Sequence, residues 1–229
     1  MEPTHKKTAW ILAASLIAVI VYYLAAKVWC LNYNTKSAVK LLLFLGLPVV
    51  YALAVRRCSW QELLARVLPT RRQLPRLGLA AAIGIVLIVG VNLLAGPLCR
   101  LFGVESVIHE IQARTHMTRE RLWPTLVYIP LVNALAEEFF FRGFAGLELE
   151  DAGKPRLALI FQAGLFALYH LAIFQSWFSP AILALCLGGL FISGLLLGLL
   201  VRRSRNVSAA WLLHGLVNVA IISISLQFF

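Results

Sequence analysis

Seven apolar runs dominate the chain, near residues 8–29, 37–55, 77–98, 123–147, 156–175, 180–201 and 206–228. Each can cross about 30 Å of hydrocarbon as a helix, which takes about 20 residues at a rise of about 1.5 Å each. In lipid every backbone donor needs a partner within the segment or on a neighbouring strand, and none of these runs alternates with period two. Helices are therefore expected rather than a barrel. The composition is 61% hydrophobic and 14% charged, and the mean hydropathy of +0.84 lies outside the range of soluble domains. The expected fold class is all-α: a polytopic membrane protein of about seven transmembrane helices. It reads as one transmembrane domain, 1–229, with N-terminal helices and a basic loop over 1–122 and a core over 123–220. The first run follows His5, Lys6 and Lys7 as a signal peptide would, but it has no clear small-x-small cleavage site and is read as a retained span.

The net charge of +11 raises nucleic acid as a partner, but the basic residues fall in short segments between apolar runs, where they set topology instead. With the N-terminus inside, thirteen Lys and Arg fall on inner segments, and seven on outer ones (Lys27, Lys36, Lys40, Arg100, Arg114, Arg119 and Arg121), which predicts a cytoplasmic N-terminus. The segment Arg56–Arg76, six arginines against Glu62 with interspersed Trp60, Leu63, Leu64, Val67 and Leu68, is either a short helix on an anionic leaflet or a solvated basic loop. Cys30, Cys58, Cys99 and Cys186 are too dispersed for a disulfide framework or a metal site. His109 and His116 flank Glu110 seven residues apart, and two helical turns, about 10 Å, are too long for one metal ion.

Ionisable residues inside an apolar run cost roughly 2.5 to 3.5 kcal/mol each on insertion scales and mark functional sites by default. The fourth run holds Asn133-Ala-Leu-Ala-Glu137-Glu138-Phe-Phe-Phe-Arg142-Gly, the fifth Phe166-Ala-Leu-Tyr-His170 and the seventh His214-Gly-Leu-Val-Asn218. Spacing by four puts His214 and Asn218 on one face of their helix and lets Glu138 pair with Arg142. Glu137 projects about 100° away from Glu138, which leaves it without a cation. Counted from the inner helix ends, Glu137 lies about 18 Å deep, His170 about 21 Å, His214 about 12 Å and Asn218 about 18 Å, so three helices present acid, imidazole and amide near one level. Pro130 predicts a kink before the acids, and the Gly194-x-x-x-Gly198 spacing predicts a closely packed sixth helix.

A carboxylate in an apolar pocket can serve as a general base near neutral pH, and a histidine on a second helix can orient the same water. Attack on a peptide carbonyl then creates an oxyanion, for which His214 and Asn218 offer two donors. No serine stands in a Gly-x-Ser-x-Gly context, and Asp151, the single aspartate, falls in a loop.

The ordered triplet Glu137-Glu138-x-x-x-Arg142, Phe166-x-x-x-His170 and His214-x-x-x-Asn218 resembles the three motifs of the CAAX protease and bacteriocin-processing family, also called Abi. The resemblance covers roughly residues 123–220 and leaves the first three helices outside. It implies a glutamate-type intramembrane endopeptidase with its active site among the four C-terminal helices. Glu137 would activate water held by His170, His214 and Asn218 would form the oxyanion site, and Glu138 and Arg142 would orient and support them. It also implies membrane lipid and a membrane-anchored or exported protein substrate as partners, with no nucleic acid. The small size, compact loops and absence of a soluble domain suggest a bacterial inner membrane, with the exosortase-associated branch, of similar size, as one candidate. No cofactor is expected; zinc, held by one acid and two histidines, is the alternative.

Two other readings compete: a non-enzymatic scaffold or immunity protein that uses the polar cluster for packing, and a proton-coupled transporter. Transporters usually carry paired repeats with broken helices in both halves, whereas the first three runs here show no embedded acid.

Overall fold

The computed structural model describes residues 3–102, 119–174 and 179–225, and every regular element among them is helical. His109, Glu110 and His116 lie outside the described residues. Among the described residues, helices occupy all seven apolar runs. Five are long and apolar enough to cross a membrane, and the last, Ser208–Ile224, is apolar but shorter. The fourth run departs from that apolar standard because Glu137, Glu138 and Arg142 interrupt it.

In chain order the helices are α1 (Pro3–Tyr23), α2 (Tyr33–Leu41), α3 (Leu47–Val50), α4 (Trp60–Ala65), α5 (Leu74–Phe102), α6 (Arg119–Val127), α7 (Ala134–Glu138), α8 (Leu147–Asp151), α9 (Pro155–Tyr169), α10 (Leu171–Phe174), α11 (Pro180–Ser204) and α12 (Ser208–Ser225). Wider π-helical turns join several of them, at Leu24–Val28, Leu42–Gly46, Tyr51–Val55, Tyr128–Asn133 and Phe139–Gly146. A π turn re-aims the side chains that follow it and is often found at functional sites.

The contacts divide the chain into two compact units, residues 1–70 with 136–208, and residues 71–135 with 209–229. At the heart of the first is the π segment Phe139–Gly146, where Phe139 through Ala145 are all buried. A helix apolar on every side must be surrounded on every side, and the Phe139-Phe140-Phe141 run meets that condition. Phe140 stacks on Phe44 with centroids 4.3 Å apart, and Phe141 meets Phe44 and Phe166 edge-on at 5.3 Å each. The packing role expected of the sixth apolar run also holds. A Cβ on Gly194 would lie 2.9 Å from Cα of Ala163, so only glycine lets α11 approach α9 there. Gln162 seals this contact by donating to the carbonyl of Gly194 at 2.8 Å.

The basic segment is neither a bare loop nor only a surface helix. Ser59 and Glu62 form a capping box that starts α4, and Leu63 packs inward against Ala52 and Phe139. Trp60, Leu64 and Leu68 stay exposed on the other side. Arg56 and Arg66 reach the buried carboxylate of Glu148 at 2.5 and 3.0 Å, and Lys7 joins them at 3.3 Å. Burial works against the Arg56 charge, yet Glu148 beside it, by charge and hydrogen bond, keeps that guanidinium above its ordinary pKa. Asn206 ties down the same segment through the carbonyls of Ala65 and Leu68, at 2.7 and 2.9 Å.

In the second unit α12 packs on the π turn Tyr128–Asn133. Pro130 cannot donate to the carbonyl a turn before it, and the chain answers with this wider turn at the place where a kink was expected. The indole of Trp211 donates to the carbonyls of Pro130 and Leu131 at 3.2 and 2.9 Å. Asn92 on α5 holds Ser223 on α12 at 2.6 Å.

Candidate active site

Glu137 and Glu138 end the short helix α7, just before the π segment begins, and they serve different partners. Oε1 of Glu138 accepts from Nη1 of Arg142 at 2.9 Å, with both side chains fully buried, as the spacing by four anticipates. The guanidinium carbon of Arg142 lies 4.1 Å from the ring centroid of Phe166, close enough for a cation–π contact. Nε and Nη2 of Arg142 are buried with no hydrogen-bond partner among the described residues, so the Phe166 face is what covers this cation.

Glu137 departs from the sequence reading. It has a cation: Nζ of Lys40 lies 2.5 Å from its Oε1, and both side chains are buried. Lys40 does not belong to an outer loop, where its position at the edge of an apolar run had put it. It stands on α2, with its ammonium 4.8 Å from the centroid of the Tyr169 ring and 5.8 Å from those of Tyr22 and Phe44. The Tyr169 hydroxyl donates to the same Oε1 of Glu137 at 3.0 Å, and Lys40 also bonds that hydroxyl. The residue next to His170 thus joins the acid of the fourth run to the fifth.

His170 follows the end of α9, 7% exposed, between the rings of Phe166, Tyr169 and Phe174. Its Nδ1 lies 2.7 Å from the carbonyl oxygen of Phe166. A carbonyl only accepts, so Nδ1 carries a proton there. Phe166 therefore serves its motif twice, with its ring on Arg142 and its carbonyl on His170.

Glu137, Glu138, Arg142 and His170 belong to the first unit, while His214 and Asn218 belong to the second. There, a Cβ on Gly215 would lie 2.8 Å from the carbonyl oxygen of Pro130, so glycine beside His214 lets α12 close on the proline turn. His214 is 8% exposed, and Nδ2 of Asn218 is a buried donor with no hydrogen-bond partner among the described residues. A buried amide of this kind lacks an acceptor, which is the condition of an oxyanion donor before substrate binds.

The donor set fits zinc poorly. Among the described residues no three His, Cys, Asp or Glu side chains converge as ligands, and an ammonium already sits on the carboxylate of Glu137, where it would repel a second cation.

The residues that motif spacing did not identify are Lys40, Tyr169 and Glu148. Lys40 carried a signal, since a lone charge followed by Leu41-Leu42-Leu43-Phe44 is costly unless it has a partner. Tyr169 carried only its adjacency to His170.

Residues 119–220 match the family model described as "Rce1-like: Type II CAAX prenyl endopeptidase Rce1-like". No curated protein and no solved structure matches the chain. The matched stretch holds all three motifs, from Glu137 to Asn218, and is similar to the CAAX protease family over those residues.

Proposed function

We propose that this integral membrane protein is a glutamate-type intramembrane endopeptidase, cleaving a peptide bond in a membrane-anchored or membrane-adjacent protein. Glu137 takes a proton from a water held between it and Nε2 of His170, and the resulting hydroxide attacks the scissile carbonyl. Donors from His214 and Asn218 receive the oxyanion, and when the tetrahedral intermediate collapses the C–N bond breaks and the proton held by Glu137 passes to the leaving amine. Glu138 and Arg142 form a rigid pair behind the acid. The protein works without a metal, in a bacterial inner membrane and with its N-terminus in the cytoplasm. The single observation that carries this reading is the buried Glu137 carboxylate, anchored through one oxygen and joined by Tyr169 to the helix of His170, inside the stretch similar to the CAAX protease family.

The test uses the full chain in liposomes with fluorogenic peptides, one carrying a prenylated C-terminal CAAX sequence and one an unmodified apolar anchor. Cleavage of either by wild type and by no Glu137→Gln sample supports the reading, and the preferred peptide reports the substrate class. Equal behaviour of the two proteins would count against it.

One observation favours a packing role instead: both acids of the motif already have cationic partners, Lys40 and Arg142. A cluster that only packs helices would tolerate the isosteric Glu137→Gln in every functional assay.

A further inference from the structure

The matched domain begins at residue 119, yet the strongest contact on its candidate base comes from residue 40. Lys40 is 4% exposed and boxed by the rings of Tyr22, Phe44 and Tyr169. These rings leave its ammonium little freedom, and Phe44 is itself clamped by stacking on Phe140, three residues after Glu137. The bonds from Lys40 and Tyr169 converge on one atom, Oε1 of Glu137. Two donors on one carboxylate oxygen fix both the position of the group and its rotation, and so set the direction in which the other oxygen, Oε2, is presented.

We propose that Lys40, acting with Tyr169, is a positioning residue for hydrolysis: the two hold Oε1 of Glu137 so that Oε2 takes the proton from the attacking water. The first helices are then part of the working site, and residues 119–220 alone do not complete it. This rests on Glu137 being the base. A neutralising role without positioning is the competing explanation, since a buried carboxylate needs some counter-charge wherever it sits. The two differ in what they require. Neutralisation asks only for a charge, whereas positioning asks for both donors at one oxygen, and a displacement of about 1 Å in a reacting group costs on the order of 10²-fold in rate.

The experiment compares full-length wild type, Lys40→Met, Lys40→Arg, Tyr169→Phe and Glu137→Gln in liposomes, with kcat and KM taken per folded molecule and folding followed by thermal melting. Lys40→Met is expected to lose about 10²-fold in kcat with KM within about twofold of wild type, the pattern of an interaction that acts on the chemical step. Lys40→Arg, which keeps a charged donor, is expected to recover part of that loss. Tyr169→Phe removes only a hydroxyl and is expected to lose about tenfold in kcat. Lys40→Met or Tyr169→Phe with wild-type kcat would overturn the proposal while leaving the protease reading intact. Should Lys40→Met fail to fold, Tyr169→Phe decides. Wild type that cleaves no faster than Glu137→Gln would overturn the protease reading, and the role of Lys40 with it.

Discussion

Nζ of Lys40 and Oε1 of Glu137 are 2.5 Å apart although 97 positions separate them in the chain. The pair ties α2 to the helix that carries the candidate acids. It also changes how the acid must be tested. Removing the Glu137 carboxylate altogether takes away the counter-charge of the Lys40 ammonium, and breaking a buried ion pair from one side is among the costliest changes a fold can suffer. Glutamine keeps an acceptor oxygen for both Lys40 and Tyr169. Glu137→Ala is therefore expected to be less stable than Glu137→Gln by about 1–3 kcal/mol, measured by thermal melting in detergent. Equal melting of the two would show that the Lys40 contact contributes little to the fold.

Arg142→Met should break the buried Glu138–Arg142 pair from one side, at about 3–5 kcal/mol, and folded protein in the membrane should fall sharply. Arg142→Lys should not restore it, because an ammonium cannot reproduce a planar guanidinium that bonds Glu138 while stacked on Phe166. Adding Glu138→Gln to Arg142→Met should recover part of the loss. Quantitative blotting of membrane fractions checks all three.

Two glycines of one helix should behave differently. Gly194→Val forces a side chain into Ala163 and is expected to cost about 1–3 kcal/mol. Gly188→Ala meets nothing within 4 Å and is expected to be neutral or slightly stabilising, by up to about 1 kcal/mol, through helix propensity. Melting curves in one detergent decide this.

Zinc removal should leave cleavage unchanged, since a lysine ammonium holds the carboxylate that a metal would need. Activity in liposomes is to be compared before and after a zinc-specific chelator. Loss on chelation, with recovery on added zinc, would show that Lys40 is displaced in the working enzyme.

The helices were legible in the sequence because a bilayer permits few solutions, and run length with backbone satisfaction suffices to choose among them. The Glu138–Arg142 pair was legible because it is local, four residues apart on one helix. Lys40 was not. Its partner lies on another helix, and at the edge of an apolar run a lysine that snorkels outward looks the same as one that turns inward to an acid. Phe166 illustrates the same limit. Its motif position could be read, but its cation–π contact with Arg142 and its carbonyl bond to His170 depend on how α9 docks against the π segment. Spacing alone does not encode that.

The most direct measurement is a comparison of protein termini. Wild type and Glu137→Gln, expressed at equal membrane levels in the native host, are compared by mass spectrometry of membrane and exported fractions. New termini near lipid anchors or membrane spans, present with wild type and lost with Glu137→Gln, are the expected result. Identical termini from the two folded proteins under several growth conditions would contradict a protease acting through Glu137.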